Sequence, residues 1–346
     1  MDIETRLNLI IRNTAEVIER DELRTLFENQ EHPRGYIGFE PSGYPHIGQV
    51  LITAAKIRDM EDAGVEMTIY LADWFAYINE KMGGVMENIV TCGDLLKECF
   101  LGAGVDSGKT RFIHSTDIVK DPEYWKLVLD VGQCATLSRV ARSLTIMGRQ
   151  EGDEKTHVSK YVYPLMQVAD IFYMDLDIAY AGMDQRKAHM LMRDIAEKLR
   201  RKKAVCVHTP LISSLAGAGR MDTDAKMSKS KPESAIFVHD SDAEIMKKIS
   251  RGYCPEGVIE NNPIMEIVEH IIFPYLGRIK IERESRFGGD VEYTDFSELK
   301  KDYLERKVHP MDLKRCVGGY VISLVAPIRE RVIHSESYKK MQMVIR

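Results

Sequence analysis

Residues 35–71 read GYIGFEPSGYPHIGQVLITAAKIRDMEDAGVEMTIYL, and their pattern changes twice. A short strand-like run, residues 35–39, leads into a Pro- and Gly-rich turn, after which apolar residues recur at helical spacing up to Gly64. Residues 65–71 then alternate as in a second strand. A strand, a helix and a strand within about 40 residues form a right-handed βαβ unit. The turn, with His46, is therefore expected at the carboxyl end of a strand, where open α/β sheets bind ligands.

The rest of the chain predicts more strands of the same sheet and then a helical region. Residues 5–30 are predicted as a helix pair. Further strands are predicted at 111–115, 178–181 and 204–208, and helices at 87–103, 164–175 and 184–199. We expect an α/β fold: a Rossmann-like parallel-sheet domain over 1–235, with a helical insertion at about 122–158 and a mobile loop at 217–231, then a mostly helical domain over 236–346.

Composition indicates a soluble, cytoplasmic protein. Hydrophobic residues make up 44% and charged residues 29% of the 346 positions, as in ordinary globular proteins. No apolar run approaches the ~20 residues of a membrane span, and the N-terminus lacks the layout of a secretory signal. The six cysteines are scattered without a Cys-x-x-Cys pair, which favours reduced thiols and predicts no protein-bound metal.

Basic residues are concentrated locally although the net charge is −5. Residues 186–203 contain eight Lys/Arg against two Asp/Glu, and residues 278–346 contain fifteen against eleven. Such local patches are sufficient to bind RNA. If charge were the only evidence, solvated helix faces would be the favoured interpretation.

The turn at 41–49, PSGYPHIGQ, has the composition of a phosphate-binding site. A helix N-terminus offers unpaired N–H groups and a positive dipole, and Gly43 and Gly48 would let a nucleotide approach closely. His46 is placed to donate to a phosphate oxygen. A lone His-x-Gly is more often a surface turn, so this motif needs support from a second one.

The second motif, KMSKS at 226–230, contains two lysines and two serines. Mobile cations stabilise the charge that builds on pyrophosphate when the bond between the α- and β-phosphates breaks. Most basic runs are solvated loops, but this string is specific enough to favour phosphate contacts by Lys226 and Lys229.

A polar stripe interrupts the apolar helix predicted after the insertion. Tyr163, Gln167 and Asp170 are spaced i, i+4 and i+7, and Pro164 fits a first helical position. Polar groups on a mostly buried helix need partners, which neighbouring backbone or a ligand would supply. A phenol needs an acceptor and a donor, such as Asp170 and the hydroxyl of Tyr36.

Both motifs together with this helix resemble the class I aminoacyl-tRNA synthetases, nearest the tyrosyl-tRNA synthetases of the compact archaeal and eukaryotic type. The resemblance spans residues 5–332. It implies activation of tyrosine with ATP, with Mg²⁺ accompanying the nucleotide, followed by transfer to tRNA. It also implies a homodimer with the insertion at the interface, which apolar residues of the insertion would allow: Leu127, Leu129, Val131 and Leu137.

The resemblance assigns roles to residues at matching positions. Catalysis falls to His46, Lys226 and Lys229. Tyrosine binding falls to Tyr36, Tyr163, Gln167, Asp170 and Gln185. ATP binding falls to Gly38, Gly43, His46, Gly48, Asp184, Met227, Ser228 and Lys229. Contacts to tRNA fall to Arg142, Arg186 and Lys187 near the acceptor end, and to Phe287, His309 and Asp312 at the anticodon.

Three alternatives remain open at this point. A tryptophanyl-tRNA synthetase shares both motifs. However, an indole has only an N–H donor, so it would need the acceptor of Asp170 but not the hydroxyl donor of Tyr36. Small nucleotidyltransferases lack the long helical C-terminal region. An RNA-binding relative without catalysis is suggested only by Gln49, which replaces the usual second histidine of the first motif.

Overall fold

The computed structural model describes residues 1–144, 157–217, 227 and 232–344. Its main element is a sheet with strands β1 (Glu16–Ile18), β2 (Arg34–Phe39), β3 (Glu66–Leu71), β4 (Arg111–His114), β5 (Ile178–Gly182) and β6 (Val205–Thr209). The strand order is β1-β6-β5-β2-β3-β4. All neighbours pair in parallel except β1, which is antiparallel to β6. The order reverses between β2 and β5, and such a switch point opens a crevice at the carboxyl ends of the strands.

Helices cover this sheet and build the C-terminal region. Those of the N-terminal part are α1 (Ile3–Ile11), α2 (Arg20–Asn29), α3 (Ile47–Asp62), α4 (Asp73–Ile78), α5 (Met86–Gly102), α6 (Ser115–Ile118), α7 (Pro122–Cys134), α8 (Leu137–Ser143), α9 (Val158–Tyr173) and α10 (Arg186–Lys198). After residue 240 follow α11 (Asp242–Arg251), α12 (Pro263–Ile267), α13 (Phe273–Leu276), the hairpin β7 (Ile279–Ile281) and β8 (Val291–Tyr293), then α14 (Phe296–Leu304), α15 (Pro310–His334) and α16 (Glu336–Val344).

Alternate residues of each strand enter two different cores. Ile37 of β2 joins a cluster with α3 and α5, whereas its neighbour Tyr36 joins a cluster with α7, α9 and α10. Both faces of the sheet are therefore covered, as parallel sheets require. The first cluster continues into α15 through Val317, Val321 and Val325. No helix of the described residues is both long and apolar enough to cross a bilayer.

The predicted α/β class with a parallel sheet and the N-terminal helix pair, α1 and α2, are confirmed, although one local prediction is incomplete and another is wrong. The helix pair at 5–30 is interrupted by β1, because three residues pair with β6 at the edge of the sheet. Pro164 is not at a first helical position: α9 begins six residues earlier, at Val158. A proline inside a helix removes one backbone hydrogen bond, a cost that burial of the apolar face of α9 outweighs.

Candidate active site

The turn after β2 is shaped by two glycines and capped by His46. Gly43 has φ +119°, a conformation that favours glycine, and its N–H donates to the thiol of Cys92 over 3.2 Å. His46 precedes α3, and its Nδ1 accepts from the N–H of Gln49 over 3.3 Å. A neutral imidazole that accepts at Nδ1 carries its proton on Nε2, so Nε2 is a donor. A side chain at Gly48 would crowd that ring, since an added Cβ lies 3.3 Å from Nδ1.

The chain after the second motif is bound to this turn by backbone hydrogen bonds. The N–H of Ile47 donates to the carbonyl of Ile236 over 2.9 Å, and the N–H of Val238 donates to the carbonyl of Pro45 over 3.1 Å. Met227 is buried, and its N–H donates to the carbonyl of Ile212 over 2.8 Å. Lys226, Ser228 and Lys229 lie outside the described residues, as does most of the predicted loop at 217–231.

Asp170 lies at the centre of a group of buried phenols. The hydroxyls of Tyr70 and Tyr124 donate to its Oδ1 over 3.0 and 2.8 Å. No described residue donates to its Oδ2. Asp170 is 1% exposed, and this burial raises its pKa to about 8. The carboxyl group therefore has one oxygen held by protein and one available to a ligand.

Tyr36 faces the same carboxyl group from β2. Its ring centre lies 6.4 Å from that of Tyr70, in an edge-to-face contact. Burial, and after it the charge of Asp170, raise the pKa of Tyr36 well above its usual value. Its hydroxyl makes no hydrogen bond within the described part of the chain. An added Cβ at Gly38 would lie 3.6 Å from the Tyr36 ring and 3.7 Å from that of Tyr70, so glycine keeps the space beside both rings free.

The other members of the polar stripe have partners at the strand ends. The hydroxyl of Tyr163 donates to Oε2 of Glu40 over 3.3 Å, and its ring packs edge-on against Phe75. The amide Nε2 of Gln167 donates to Oε1 of Gln185 over 3.3 Å. The carbonyl Oε1 of Gln167 is buried without a hydrogen-bond partner among the described residues. Such an acceptor is one that a ligand N–H group would satisfy.

Asp184 follows β5 at the same edge. Its Oδ1 lies 2.7 Å from where a Cβ on Gly182 would stand, so glycine allows the carboxylate to fold back over the strand end. The residue is half-buried in the turn Met183–Gln185. A carboxylate at this place would suit the hydroxyl groups of a ribose.

An ion pair lies at the ends of β3 and β4. His114 contacts Asp73 over 3.2 Å and Asp94 over 3.4 Å, and hydrogen bonds to these two carboxylates raise its pKa to about 9. Burial alone would raise the pKa of Asp73, but hydrogen bonds from His114, Ser115 and Thr116 lower it. An added Cβ at Gly93 would meet both His114 and Pro41 of the turn, so this pair adjoins the turn.

Comparison with known proteins identifies the family. The model of the class I tRNA synthetases (W and Y) matches residues 28–325. The chain belongs to this family. Among curated relatives, tyrosine–tRNA ligase of Saccharolobus solfataricus is 49% identical over 99% of this chain and 96% of the relative. The counterpart from Aeropyrum pernix is 46% identical over 98% and 96%.

Solved structures of similar proteins have the same fold as this synthetase. Tyrosyl-tRNA synthetase of Pyrococcus horikoshii, in complex with L-tyrosine, superposes with a TM-score of 0.92 at 41% identity, covering 99% of this chain and 100% of that one. The Aeropyrum pernix enzyme superposes with a TM-score of 0.90 at 44% identity, covering 100% and 99%. The resemblance inferred from the sequence is thereby confirmed.

Residues of the synthetase predicted to contact tRNA fall into two separate groups. Arg142 lies on α8, which packs against α10, where Arg186 and Lys187 begin the helix. The guanidinium of Arg186 donates to Glu16 of β1 over 2.6 Å.

The second group lies at the start of α15. His309 caps this helix, its Nδ1 accepting from the N–H of Met311 over 3.2 Å. Asp312, in the first turn, accepts from Arg315 over 3.2 Å. Phe287 closes the short turn Ser285–Phe287 in the β7–β8 hairpin.

Tyr70, Tyr124 and Glu40 contact the predicted site residues but belong to none of the sequence motifs. Tyr70 lies in the strand predicted at 65–71, between the alternating apolar positions, and Tyr124 lies in the predicted insertion. Glu40 directly follows β2 beside the recognised turn. Side chains with polar groups at the carboxyl ends of the central strands, such as Glu40 and Tyr70, were the available signal for the site. The carboxyl ends of parallel strands meet at one edge of the sheet, where ligands bind.

Proposed function

We propose that this synthetase is a tyrosine–tRNA ligase, which activates L-tyrosine with ATP and transfers the tyrosyl group to the 3′-terminal ribose of tRNA(Tyr). The observation that carries the proposal is the buried carboxyl group of Asp170, whose Oδ1 accepts from two tyrosine hydroxyls while Oδ2 has no donor among the described residues. The curated relatives with nearly full coverage are tyrosine–tRNA ligases, which supports the same choice.

In the proposed pocket the hydroxyl of the substrate phenol makes hydrogen bonds with Oδ2 of Asp170 and with the hydroxyl of Tyr36. Its α-ammonium group donates to Oε1 of Gln167, with Gln185 and Tyr163 beside it. Phenylalanine would leave Oδ2 of Asp170 and the hydroxyl of Tyr36 buried without partners, at a cost of about 1–3 kcal/mol for each group. The pocket therefore selects for a hydroxylated ring.

ATP is proposed to lie across the N-terminus of α3. The phosphates face His46 Nε2 and the backbone of the turn, Gly43 and Gly48 allow close approach, and Gly38 keeps the edge of β2 open. Asp184 would bind the ribose. From the second motif we assign Met227, Ser228 and Lys229 to ATP, with Lys226 and Lys229 as catalytic cations.

Mg²⁺ is proposed to accompany the nucleotide. Within the described residues, no group of three or more His, Cys, Asp or Glu side chains is arranged to hold a metal ion. Phosphate oxygens are themselves ligands that Mg²⁺ prefers. We therefore assign no step of the reaction to a metal held by protein side chains.

The first step is attack by the tyrosine carboxylate on the α-phosphorus of ATP. A P–O bond forms to give tyrosyl-adenylate, and the bond to the β-phosphate breaks to release pyrophosphate. No general base is needed, because an α-carboxylate is already ionised at neutral pH. Catalysis rests on positioning and on cations beside the departing pyrophosphate. A ribose hydroxyl of tRNA then takes the tyrosyl group and releases AMP.

The tRNA is proposed to contact both parts of the chain. Arg142, Arg186 and Lys187 would contact the acceptor end, while Phe287, His309 and Asp312 would read the anticodon by stacking and hydrogen bonds. This assignment matches a division into a catalytic domain over 1–235 and an anticodon-binding domain over 236–346.

We propose a homodimer in the cytoplasm. Leu129 and Leu137 are 67% and 72% exposed on α7 and α8, which leaves apolar surface for a second copy. Leu127 and Val131, which the sequence also suggested for the interface, are buried in the core of the chain itself. All six cysteines are free thiols, as a reducing compartment allows.

Pyrophosphate exchange that depends on the amino acid tests the proposal. Exchange should be fast with tyrosine and far slower with tryptophan or phenylalanine. Faster exchange with tryptophan would overturn the tyrosine assignment, and tRNA binding without any exchange would favour a relative that has lost catalysis. Asp170→Ala should abolish measurable tyrosine binding, whereas Asp175→Ala, at a half-exposed position after α9, should bind tyrosine normally.

A further inference from the structure

Three aromatic rings join the C-terminal helix to the turn that contains His46. Tyr44 lies in the turn, His239 follows the segment that pairs with it, and Tyr338 lies in α16. The ring centres are 4.3 Å apart for Tyr44 and His239, 5.8 Å for Tyr44 and Tyr338, and 5.9 Å for His239 and Tyr338. Each ring is half-buried and touches both others in a tilted arrangement. We call these three residues the aromatic cluster.

The turn is held on two sides. On one side, Pro45 and Ile47 are hydrogen-bonded to the segment that leads directly to His239. On the other side, the thiol of Cys92 on α5 contacts both the N–H and the carbonyl of Gly43. Because α16 also packs against α5, the aromatic cluster and α5 enclose the turn between them.

Tyr338 has a rigid support. The hydroxyl of Ser335 donates to the carbonyl of Val332 over 2.7 Å and accepts from the N–H of Tyr338 over 3.1 Å, which fixes α16 relative to the end of α15. Met341, one turn later on α16, is fully buried in the core. The ring of Tyr338 is thus anchored by the C-terminal region and not by the turn alone.

We propose that the aromatic cluster positions the turn for ATP, so that Tyr44, His239 and Tyr338 are positioning residues for the activation step. This rests on the proposed function, in which His46 and the N-terminus of α3 face the phosphates. The tyrosine pocket belongs to the second core, with α7 and α9, whereas the aromatic cluster packs against the first core. Loss of a ring should therefore impair the use of ATP and spare the binding of tyrosine.

The test is tyrosine-dependent pyrophosphate exchange with ATP and tyrosine varied separately. Tyr338→Ala is expected to lower kcat/KM for ATP about tenfold, because two ring contacts are lost and the turn is displaced. The KM for tyrosine should not change. Tyr338→Phe keeps the ring and should restore the wild-type value. Tyr320→Ala is the matched control, since this half-buried tyrosine of α15 accepts from the N–H of Lys280 in the hairpin.

Several outcomes would overturn the proposal. These are an unchanged kcat/KM for ATP in Tyr338→Ala, a comparable rise in the KM for tyrosine in that variant, or the same ATP defect in Tyr320→Ala. If Tyr338→Ala melts early, His239→Leu removes a ring from the other side of the cluster and must give the same loss confined to ATP. Lack of any exchange by the wild-type chain would instead refute the proposed function itself.

Discussion

The buried carboxyl group of Asp170 gives the most quantitative prediction. Its pKa is raised from 3.8 to about 8, so between these values the folded chain holds a proton that the unfolded chain has released. Stability should therefore fall as pH rises through this window, by about 1.4 kcal/mol per pH unit. Asp170→Asn keeps the shape and cannot ionise. The free energy of unfolding of wild type should fall by about 2 kcal/mol more than that of the variant when the pH rises from about 5 to about 6.5.

Urea denaturation of both proteins at the two pH values measures this difference, because all other titrating groups cancel. Asp73→Asn is the matched control, since Asp73 is also buried at the carboxyl edge but its pKa is lowered. The carboxylate of Asp73 contributes its full stabilisation at any pH above the ordinary aspartate pKa and loses it only in acid. Asp73→Asn should therefore be destabilised by the same amount at both pH values. Equal pH dependence for wild type and Asp170→Asn would refute the burial argument.

Three further predictions concern other residues. Lys229→Ala should slow tyrosyl-adenylate formation about 100-fold with little change in tyrosine affinity. Stopped-flow measurements would compare it with Lys339→Ala, a change on the surface of α16. An unchanged rate in Lys229→Ala would remove Lys229 from the mechanism. Asp312→Ala should weaken aminoacylation by about tenfold or more but spare pyrophosphate exchange, and equal damage to both would indicate misfolding. His114→Gln should lower the free energy of unfolding by up to about 3 kcal/mol below pH 6.5, where the raised pKa of His114 contributes fully. This loss should shrink as the pH rises through about 9. A loss that stays constant with pH would contradict the charged pair of His114 and Asp73.

The central βαβ unit could be predicted from sequence because its signals are local. The turn before Ile47, the helical spacing to Gly64 and the alternation at 65–71 each depend only on near neighbours in the chain. The capping box of Ser241 and Glu244 at α11 has the same character and is present in the structure.

Features that depend on distant contacts could not be predicted. β1 has three residues and exists only because β6 offers an edge for pairing. α9 extends through Pro164 because its buried face compensates for one missing hydrogen bond. Tyr70 and Tyr124 are 54 residues apart in the sequence, and nothing local reveals that both hydroxyls meet at Asp170.

The most direct test of the account is a structure of the chain with bound L-tyrosine. The phenol oxygen should lie about 2.6–3.0 Å from Oδ2 of Asp170 and from the hydroxyl of Tyr36, with the ammonium group at Oε1 of Gln167. A ring bound elsewhere, or a phenol oxygen turned away from Asp170, would contradict the proposed pocket.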